Sequence, residues 1–146
     1  MSDEQIKGAI RGFIRAMSAR DWNQASSFLT PDAVWTGPGT NLRSQADIVA
    51  YGNRLAKVIP DFKVAENGMG ITVSGDVGVI EHELSGTANG KKWAVPATCI
   101  YEFKGDKIQN IRTFYDRLNQ AQQGAKGWFQ KMAVNAIVGN MEKPLR

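Results

Sequence analysis

The feature that most constrains this chain is an Asn89-Gly90 pair set between two strand-like runs. The runs read VGVIEHELSGTA (77–88) and KKWAVPATCIYEF (91–103), and a third, KIQNIRTFYD (107–116), follows a Gly105-Asp106 turn. Asn-Gly supplies the two positive φ angles of a type I′ turn, so the first two runs form a hairpin. The sequence therefore predicts an antiparallel meander over 77–116, against which every other element must pack.

Three helices are predicted ahead of the meander. Ser2 and Gln5 form a capping-box pattern that begins a helix over about 3–19. Asp21 is expected to cap a short second helix that ends before Pro31. Ser44 caps a third, which Pro60 stops.

Strands and helices fill the remaining segments. We predict a short strand over 32–36, closed by the breaker run Gly37-Pro38-Gly39, and a strand over about 61–73 with a bulge or bend at Gly68 and Gly70. After Asp116 two helical pieces follow, broken between Gly124 and Gly127. The second is apolar on more than one face, which suits a lid on a cavity or a subunit contact.

Charge and composition exclude several classes of protein. The net charge is +4, but the Lys and Arg residues are scattered, so we expect no nucleic-acid partner. No apolar run approaches about 18 residues and the N-terminus lacks the features of a signal peptide, so we expect no membrane association. A single cysteine imposes no redox compartment, and the cytoplasm is the default expectation. One His and one Cys cannot supply a zinc site, and we expect no metal and no cofactor.

Three local motifs, in order, resemble the SnoaL-like branch of the nuclear-transport-factor-2-like superfamily. They are Ala19–Asp32 with the following Ala33-Val34, Leu84–Gly90, and Gly105–Ile108 with Arg112–Asp116. The resemblance implies an α+β fold: a cone-shaped, curved, mostly antiparallel sheet wrapped around three N-terminal helices. It also implies one domain over residues 1–146, with 118–146 as a C-terminal helical extension, and a homodimer formed through the outer face of the sheet.

At four positions where relatives keep polar catalytic groups, this chain has other residues. The general-base aspartate of steroid-isomerase relatives corresponds to Gly37, and their helix-1 tyrosine to Phe13. The aspartate with which epoxide-hydrolase relatives handle water corresponds to Thr113, and the common hairpin histidine to Ala88. The resemblance therefore implies neither steroid isomerisation nor epoxide hydrolysis of the known design.

Candidate acid–base groups must come from the meander itself. With a two-residue turn, His82 lies opposite Ala97 on an apolar face, and Glu81 and Glu83 share the other face. His82 is either a buried, hydrogen-bonded imidazole or a catalytic group. If Glu81 and Glu83 faced an apolar cavity, like charge and desolvation would keep one protonated and leave the other as a base. Otherwise they are solvated residues paired with lysines.

The sequence does not decide which side chains of the last strand share a face with His82 of the hairpin. Extended through the Gly105-Asp106 turn without a bulge, the register puts Thr113 with Glu81, and hydrophobicity makes the His82 face the core. The family resemblance favours the Thr113 face as the pocket, and a single β-bulge would reverse the phase. Asp116 is either a catalytic carboxylate or the N-cap of the next helix. Expected substrate-binding residues are Trp35, Tyr51, Thr98, Thr113 and Tyr115.

Two functions remain as hypotheses. The first is a cofactor-independent enzyme that acts on an apolar small molecule by general acid–base catalysis, as an isomerase or a polyketide-cyclase-like enzyme, with Glu81, Glu83, His82 or Asp116 as the acid–base groups. The second is a non-catalytic protein that binds an apolar small molecule.

Overall fold

The computed structural model describes residues 1–143, which form one six-stranded sheet and five helices. In chain order the elements are α1 (Asp3–Ser18), α2 (Trp22–Ser26), β1 (Leu29–Gly37), β2 (Thr40–Leu42), α3 (Gln45–Val58), β3 (Lys63–Ser74), β4 (Val77–Ala88), β5 (Lys91–Lys104), β6 (Lys107–Tyr115), α4 (Arg117–Gly124) and α5 (Gly127–Glu142). None of the helices in this part of the chain is long and apolar enough to span a bilayer.

The three N-terminal helices begin where their caps predicted. The Ser2 hydroxyl accepts a hydrogen bond from the Gln5 amide while the Gln5 side chain accepts one from the Ser2 amide. Asp21 caps α2, and the Ser44 hydroxyl caps α3 by accepting from the Asp47 amide. These predictions are confirmed.

The sheet is curved and open, with the strand order β2-β1-β6-β5-β4-β3. The pairing of β1 with β6 is parallel and the other four are antiparallel, which confirms the predicted α+β class. The Asn89-Gly90 turn sets the predicted register, with Ala88 opposite Lys91 and His82 opposite Ala97. The bulge predicted in β3 is also present, between Glu66 and Ile71.

A second bulge decides which face of β6 points inward. Phe103 pairs with Ile108, but Glu102 pairs with Asn110, so Gln109 is an extra residue in β6. Because of the extra residue, every later side chain of β6 points to the opposite face of the sheet from the one expected without a bulge. Thr113 therefore pairs with Cys99 on the same face as His82, and the register that put Thr113 with Glu81 is wrong.

The segment around β1 differs from the prediction in two ways. The strand is longer than 32–36, since it begins at Leu29 and runs to Gly37. The breaker run Gly37-Pro38-Gly39 proves to be a tight hairpin turn, because Gly37 pairs with Thr40 of β2, an unpredicted strand. Gly39 has a φ of +73°, the conformation that a Pro-Gly turn requires at its glycine.

Apolar side chains on the inner face of the sheet form two separate buried clusters. The larger one joins α1, α2 and α3 to the sheet through residues such as Phe13, Ile48 and Tyr101. The smaller one contains Leu84, Trp93, Val95 and Ala97, and includes Ile59, Phe62 and Tyr115 at its edge. Because side chains of both clusters line one space, the inner face is not filled solid.

The C-terminal helices extend the fold beyond the last strand. The predicted break is confirmed, since α4 ends at Gly124 and α5 begins at Gly127. Gln123 joins α4 to the free edge of β5, because its amide oxygen accepts from the Ala94 N–H and its nitrogen donates to the Ala94 carbonyl. On α5 several large apolar side chains are exposed: Trp128, Phe129, Met132, Ile137 and Met141.

Candidate functional site

A cavity of about 300 Å³ lies between the two apolar clusters, under the concave face of the sheet. The sheet contributes His82, Cys99, Thr113 and Tyr115 to its wall. The helices and the first hairpin close it with mostly apolar or aromatic residues: Met17, Trp22, Trp35, Gly37, Pro38, Tyr51, Leu55 and Ile59. A largely apolar cavity with a few polar groups is typical of a small-molecule site.

Alternation along β4 places His82 in the cavity wall. Its side chain is 2% exposed, and its Nε2 lies 3.7 Å from the Cys99 Sγ. The imidazole Nδ1 is buried without a hydrogen-bond partner. Burial lowers the pKa of His82, and the backbone carbonyl of Ile80 opposes this shift in part. The ring is therefore neutral at pH 7, with one nitrogen able to accept a proton.

A line of polar contacts connects His82 to the first hairpin. The Trp35 indole donates to the Thr113 Oγ1 at 2.9 Å, and this oxygen lies 3.1 Å from the Cys99 Sγ. The indole can only donate, so the Thr113 hydroxyl accepts from it; in the contact with the sulfur either the hydroxyl or the thiol can donate. Burial raises the pKa of Cys99 to about 11, which keeps the sulfur a neutral thiol beside the imidazole.

Tyrosine hydroxyls supply further donors. Tyr51 and Tyr115 line the cavity, and the ring of Tyr51 packs edge-on against Trp35. Burial raises the pKa of Tyr115, as does the neighbouring Tyr51, while Arg117 acts in the opposite direction. Tyr115 is therefore a protonated hydrogen-bond donor at neutral pH.

Two indole nitrogens of the cavity wall lack partners. The Nε1 atoms of Trp22 and Trp93 are buried and make no hydrogen bond within the described residues. A buried donor without an acceptor costs about 1–3 kcal/mol. Both nitrogens are almost entirely inaccessible, so a ligand oxygen can reach them only if neighbouring side chains move.

Of the residues predicted to bind substrate, all but one lie together in this wall. Trp35, Tyr51, Thr113 and Tyr115 line the cavity, whereas Thr98 does not. Thr98 pairs with Glu81 and Phe114 on the outer face, so its predicted placement is wrong. Side chains of adjacent residues in a strand point to opposite faces, and Thr98 follows the inward-facing Ala97.

The predicted carboxylates also lie away from the cavity. Glu81 and Glu83 flank His82 in β4, so alternation turns both to the exposed outer face. The inward orientation on which their acid–base role depended is wrong. Asp116 is exposed and caps α4, accepting from the Asn119 amide at 2.9 Å. Its carboxylate serves the helix terminus and does not line the cavity.

Several lining residues were not singled out from the sequence. Trp22, Leu55, Tyr101 and Arg117 line the cavity, and Cys99 stands beside His82. Cys99 is buried, and its alternation with Ala97 and Tyr101 in β5 puts it on the same face as the imidazole. No sequence pattern pointed to Arg117, because its position depends on how α4 folds back over the hairpin turn.

A family model for the SnoaL-like domain matches residues 10–111. No curated protein matches the chain in sequence.

Many solved structures share the fold. A Catenulispora acidiphila protein of ketosteroid-isomerase-like fold, in complex with trimethylamine, is 16% identical with a TM-score of 0.74, and the match covers 82% of this chain and 93% of that one. A Burkholderia pseudomallei NTF2-like protein of unknown function is 18% identical with a TM-score of 0.76, covering 86% and 100%. An M. tuberculosis LEH-like epoxide hydrolase is 14% identical with a TM-score of 0.73, covering 92% and 97%. At these identities the likeness shows the fold alone.

Proposed function

The chain belongs to the SnoaL-like domain family, and from this premise we propose that it is a cofactor-independent enzyme that moves a proton on an apolar small molecule. The reaction class is that of an isomerase or a polyketide-cyclase-like enzyme. The observation that carries the proposal is the position of His82, a neutral imidazole in the wall of an apolar cavity from which carboxylates are absent within the described residues.

In this mechanism His82 is the general base. A neutral imidazole accepts a proton from a carbon next to a ligand carbonyl and returns it to a different atom, which completes an isomerisation or starts a ring closure. A positioned base contributes about 10²- to 10⁴-fold to such a step. The low exposure of His82 keeps bulk water from competing with the ligand for the base.

Hydrogen-bond donors stabilise the negative charge that develops on the ligand oxygen. Tyr115, protonated because burial raises its pKa, and Tyr51 line the same cavity as His82. Donors that are already in place when charge develops are an efficient source of transition-state stabilisation. These groups favour a flat, apolar ligand that carries oxygen acceptors.

Exchange of carbon-bound hydrogen tests the proposal without knowledge of the natural substrate. The probe is 2-tetralone in D2O, whose α-hydrogens are replaced by deuterium when a base removes them, as followed by mass spectrometry. We expect the wild type to accelerate exchange and His82→Gln to lose about 10²-fold or more of that acceleration. Glu81→Gln and Glu83→Gln are matched controls on the outer face and are expected to retain it.

A non-catalytic binding protein is the second candidate. It is favoured by the placement of Glu81, Glu83 and Asp116 outside the cavity. Binding of 2-tetralone by the wild type, with exchange no faster than in His82→Gln, would contradict catalysis by His82 and support this candidate.

A further inference from the structure

A second opening adjoins the cavity and extends the space available to a ligand. It has a volume of about 470 Å³ and lies between α4, α5 and the tip of the β4–β5 hairpin. The two spaces share four lining residues: Ile59, Trp93, Arg117 and Gln120. A ligand whose body fills the first cavity would therefore reach Arg117 at the junction with the second.

Among the residues that the structure describes, Arg117 is the only permanently charged side chain that lines either space. His82 is neutral at pH 7, and neither wall contains Asp, Glu or Lys within the described residues. Ion pairs elsewhere in residues 1–143 join Lys7 to Glu4, Arg11 to Glu66, and Arg112 to Glu102. None of them involves Arg117. The junction is thus a site of positive charge without a counter-ion from the part of the chain that the structure describes.

The local structure holds the guanidinium in this position. Its Nη1 donates to the Pro38 carbonyl at 3.2 Å. A Cβ on Gly39 would collide with the same nitrogen, so the absence of a side chain there makes room for the guanidinium. The φ of Gly39, +73°, also favours glycine, which fixes the turn beneath the arginine. One carbonyl occupies only one of the five guanidinium N–H donors.

The effect of Arg117 on Tyr115 shows that its charge acts on the cavity. Arg117 works to lower the pKa of Tyr115 against the larger, opposite effect of burial. Tyr115 lines the cavity beside Thr113 and pairs with Ala97 in the sheet. An anionic group near Tyr115 and Arg117 would thus meet both a phenol donor and a guanidinium.

We propose that Arg117 binds a carboxylate at the end of an apolar ligand whose body occupies the cavity beside His82. The proposal rests on the proposed function in taking this cavity as the ligand site. The planar guanidinium matches the two oxygens of a carboxylate, and such charge-assisted hydrogen bonds are among the stronger ones in proteins. The substrate class is therefore a flat or polycyclic acid, and Arg117 determines specificity for its charged end.

A matched pair of probes tests the charge preference directly. 2-Naphthylacetate carries the carboxylate, and 2-naphthylacetamide is its neutral counterpart of nearly equal shape. By isothermal titration calorimetry at low salt, we expect the wild type to bind the acetate about tenfold or more tightly than the amide. Arg117→Gln should reduce binding of the acetate by about tenfold and leave that of the amide within about twofold. Arg117→Lys keeps the charge but not the paired N–H donors of the guanidinium, and it should bind the acetate more tightly than Arg117→Gln and less tightly than the wild type.

Controls separate this site from general electrostatics and from catalysis. Arg43→Gln removes the same charge from an exposed residue that lines neither space, and it should bind both probes as the wild type does. Equal affinity of the wild type for both probes, or equal weakening of both in Arg117→Gln, would overturn the carboxylate site. Failure of both probes to bind would overturn it as well. The preference does not need His82 as a base, so a wild type that shows the acetate preference but no His82-dependent exchange would contradict the proposed function and leave this proposal standing.

Discussion

At the scale of single residues, the site depends on how burial sets the state of each ionisable group. His82 is neutral because its surroundings disfavour the imidazolium, and Cys99 stays a thiol because the same apolar surroundings disfavour the thiolate. The two side chains lie 3.7 Å apart between Nε2 and Sγ but do not form a thiolate–imidazolium pair. In the proposed mechanism the imidazole nitrogen is the reactive atom, and the thiol is its neutral neighbour.

The lowered pKa of His82 predicts a pH dependence of stability. The unfolded chain binds a proton as the pH falls below about 6.5, while the folded imidazole resists it until the pH reaches its lower pKa. Between these values the unfolded state binds more protons, so the free energy of unfolding decreases as the pH falls.

Urea unfolding at pH 7.5 and 5.5 measures this effect. We expect the wild type to lose more stability over this interval than His82→Gln, which lacks the titrating group. The NMR titration of the only imidazole in the chain should give a midpoint below 6.5. A midpoint at or above that value would contradict the buried, neutral state.

At the scale of elements, the Asp116 carboxylate stabilises the N-terminus of a helix and takes no part in the proposed chemistry. Its oxygen accepts from the Asn119 amide and begins α4, the helix that carries Arg117 and Gln123. Loss of an N-cap side chain costs about 1 kcal/mol, whereas asparagine caps almost as well as aspartate. Asp116→Ala should therefore lower the free energy of unfolding by about 1 kcal/mol, and Asp116→Asn should not.

Thermal unfolding and the 2-tetralone exchange assay distinguish the cap from a catalytic role. Asp116→Asn should retain both stability and exchange activity. A large loss of exchange in Asp116→Asn, with stability unchanged, would show instead that the carboxylate takes part in the reaction.

The hairpin could be predicted from sequence to the residue, but the closing strand could not. Asn89-Gly90 permits one turn geometry, which fixes His82 opposite Ala97. Gln109, the bulged residue in β6, has no property that distinguishes it from an ordinary strand residue. From the sequence, Thr113 and Tyr115 could thus lie on either face of the sheet, and only the family resemblance favoured the face that lines the cavity.

Contacts between distant elements account for the rest of what the sequence did not predict. Arg117 reaches the junction because α4 folds back and places the guanidinium on the Pro38 carbonyl, 79 residues away in the chain. Gln123 joins the edge of β5 in the same way, through both polar groups of Ala94. Neither pairing follows from local patterns of hydrophobicity or capping.

At the scale of the whole molecule, two surfaces bear on assembly. On the outer face of the sheet Phe114 is 55% exposed beside Thr98, and α5 exposes a separate set of apolar side chains. We propose a homodimer formed through the outer face, in keeping with the family resemblance. Phe114 would give such an interface an apolar contact.

Sedimentation velocity tests this assembly with one variant on each surface. Phe114→Lys should shift the protein from dimer to monomer, and Phe129→Lys on α5 should leave the dimer intact. Dissociation by Phe129→Lys alone would place the contact on α5, and a monomeric wild type would contradict the dimer itself.

The central claim is that one neutral imidazole in an apolar cavity does the chemistry, and the pH profile of 2-tetralone exchange tests it most directly. Protonation removes the lone pair of His82, so the rate should fall as the pH drops through a single midpoint below 6.5 and should level off above it. That midpoint should agree with the NMR titration of His82, and His82→Gln should show no such step. A midpoint near 4, where carboxylates titrate, or a profile unchanged in His82→Gln, would contradict the account.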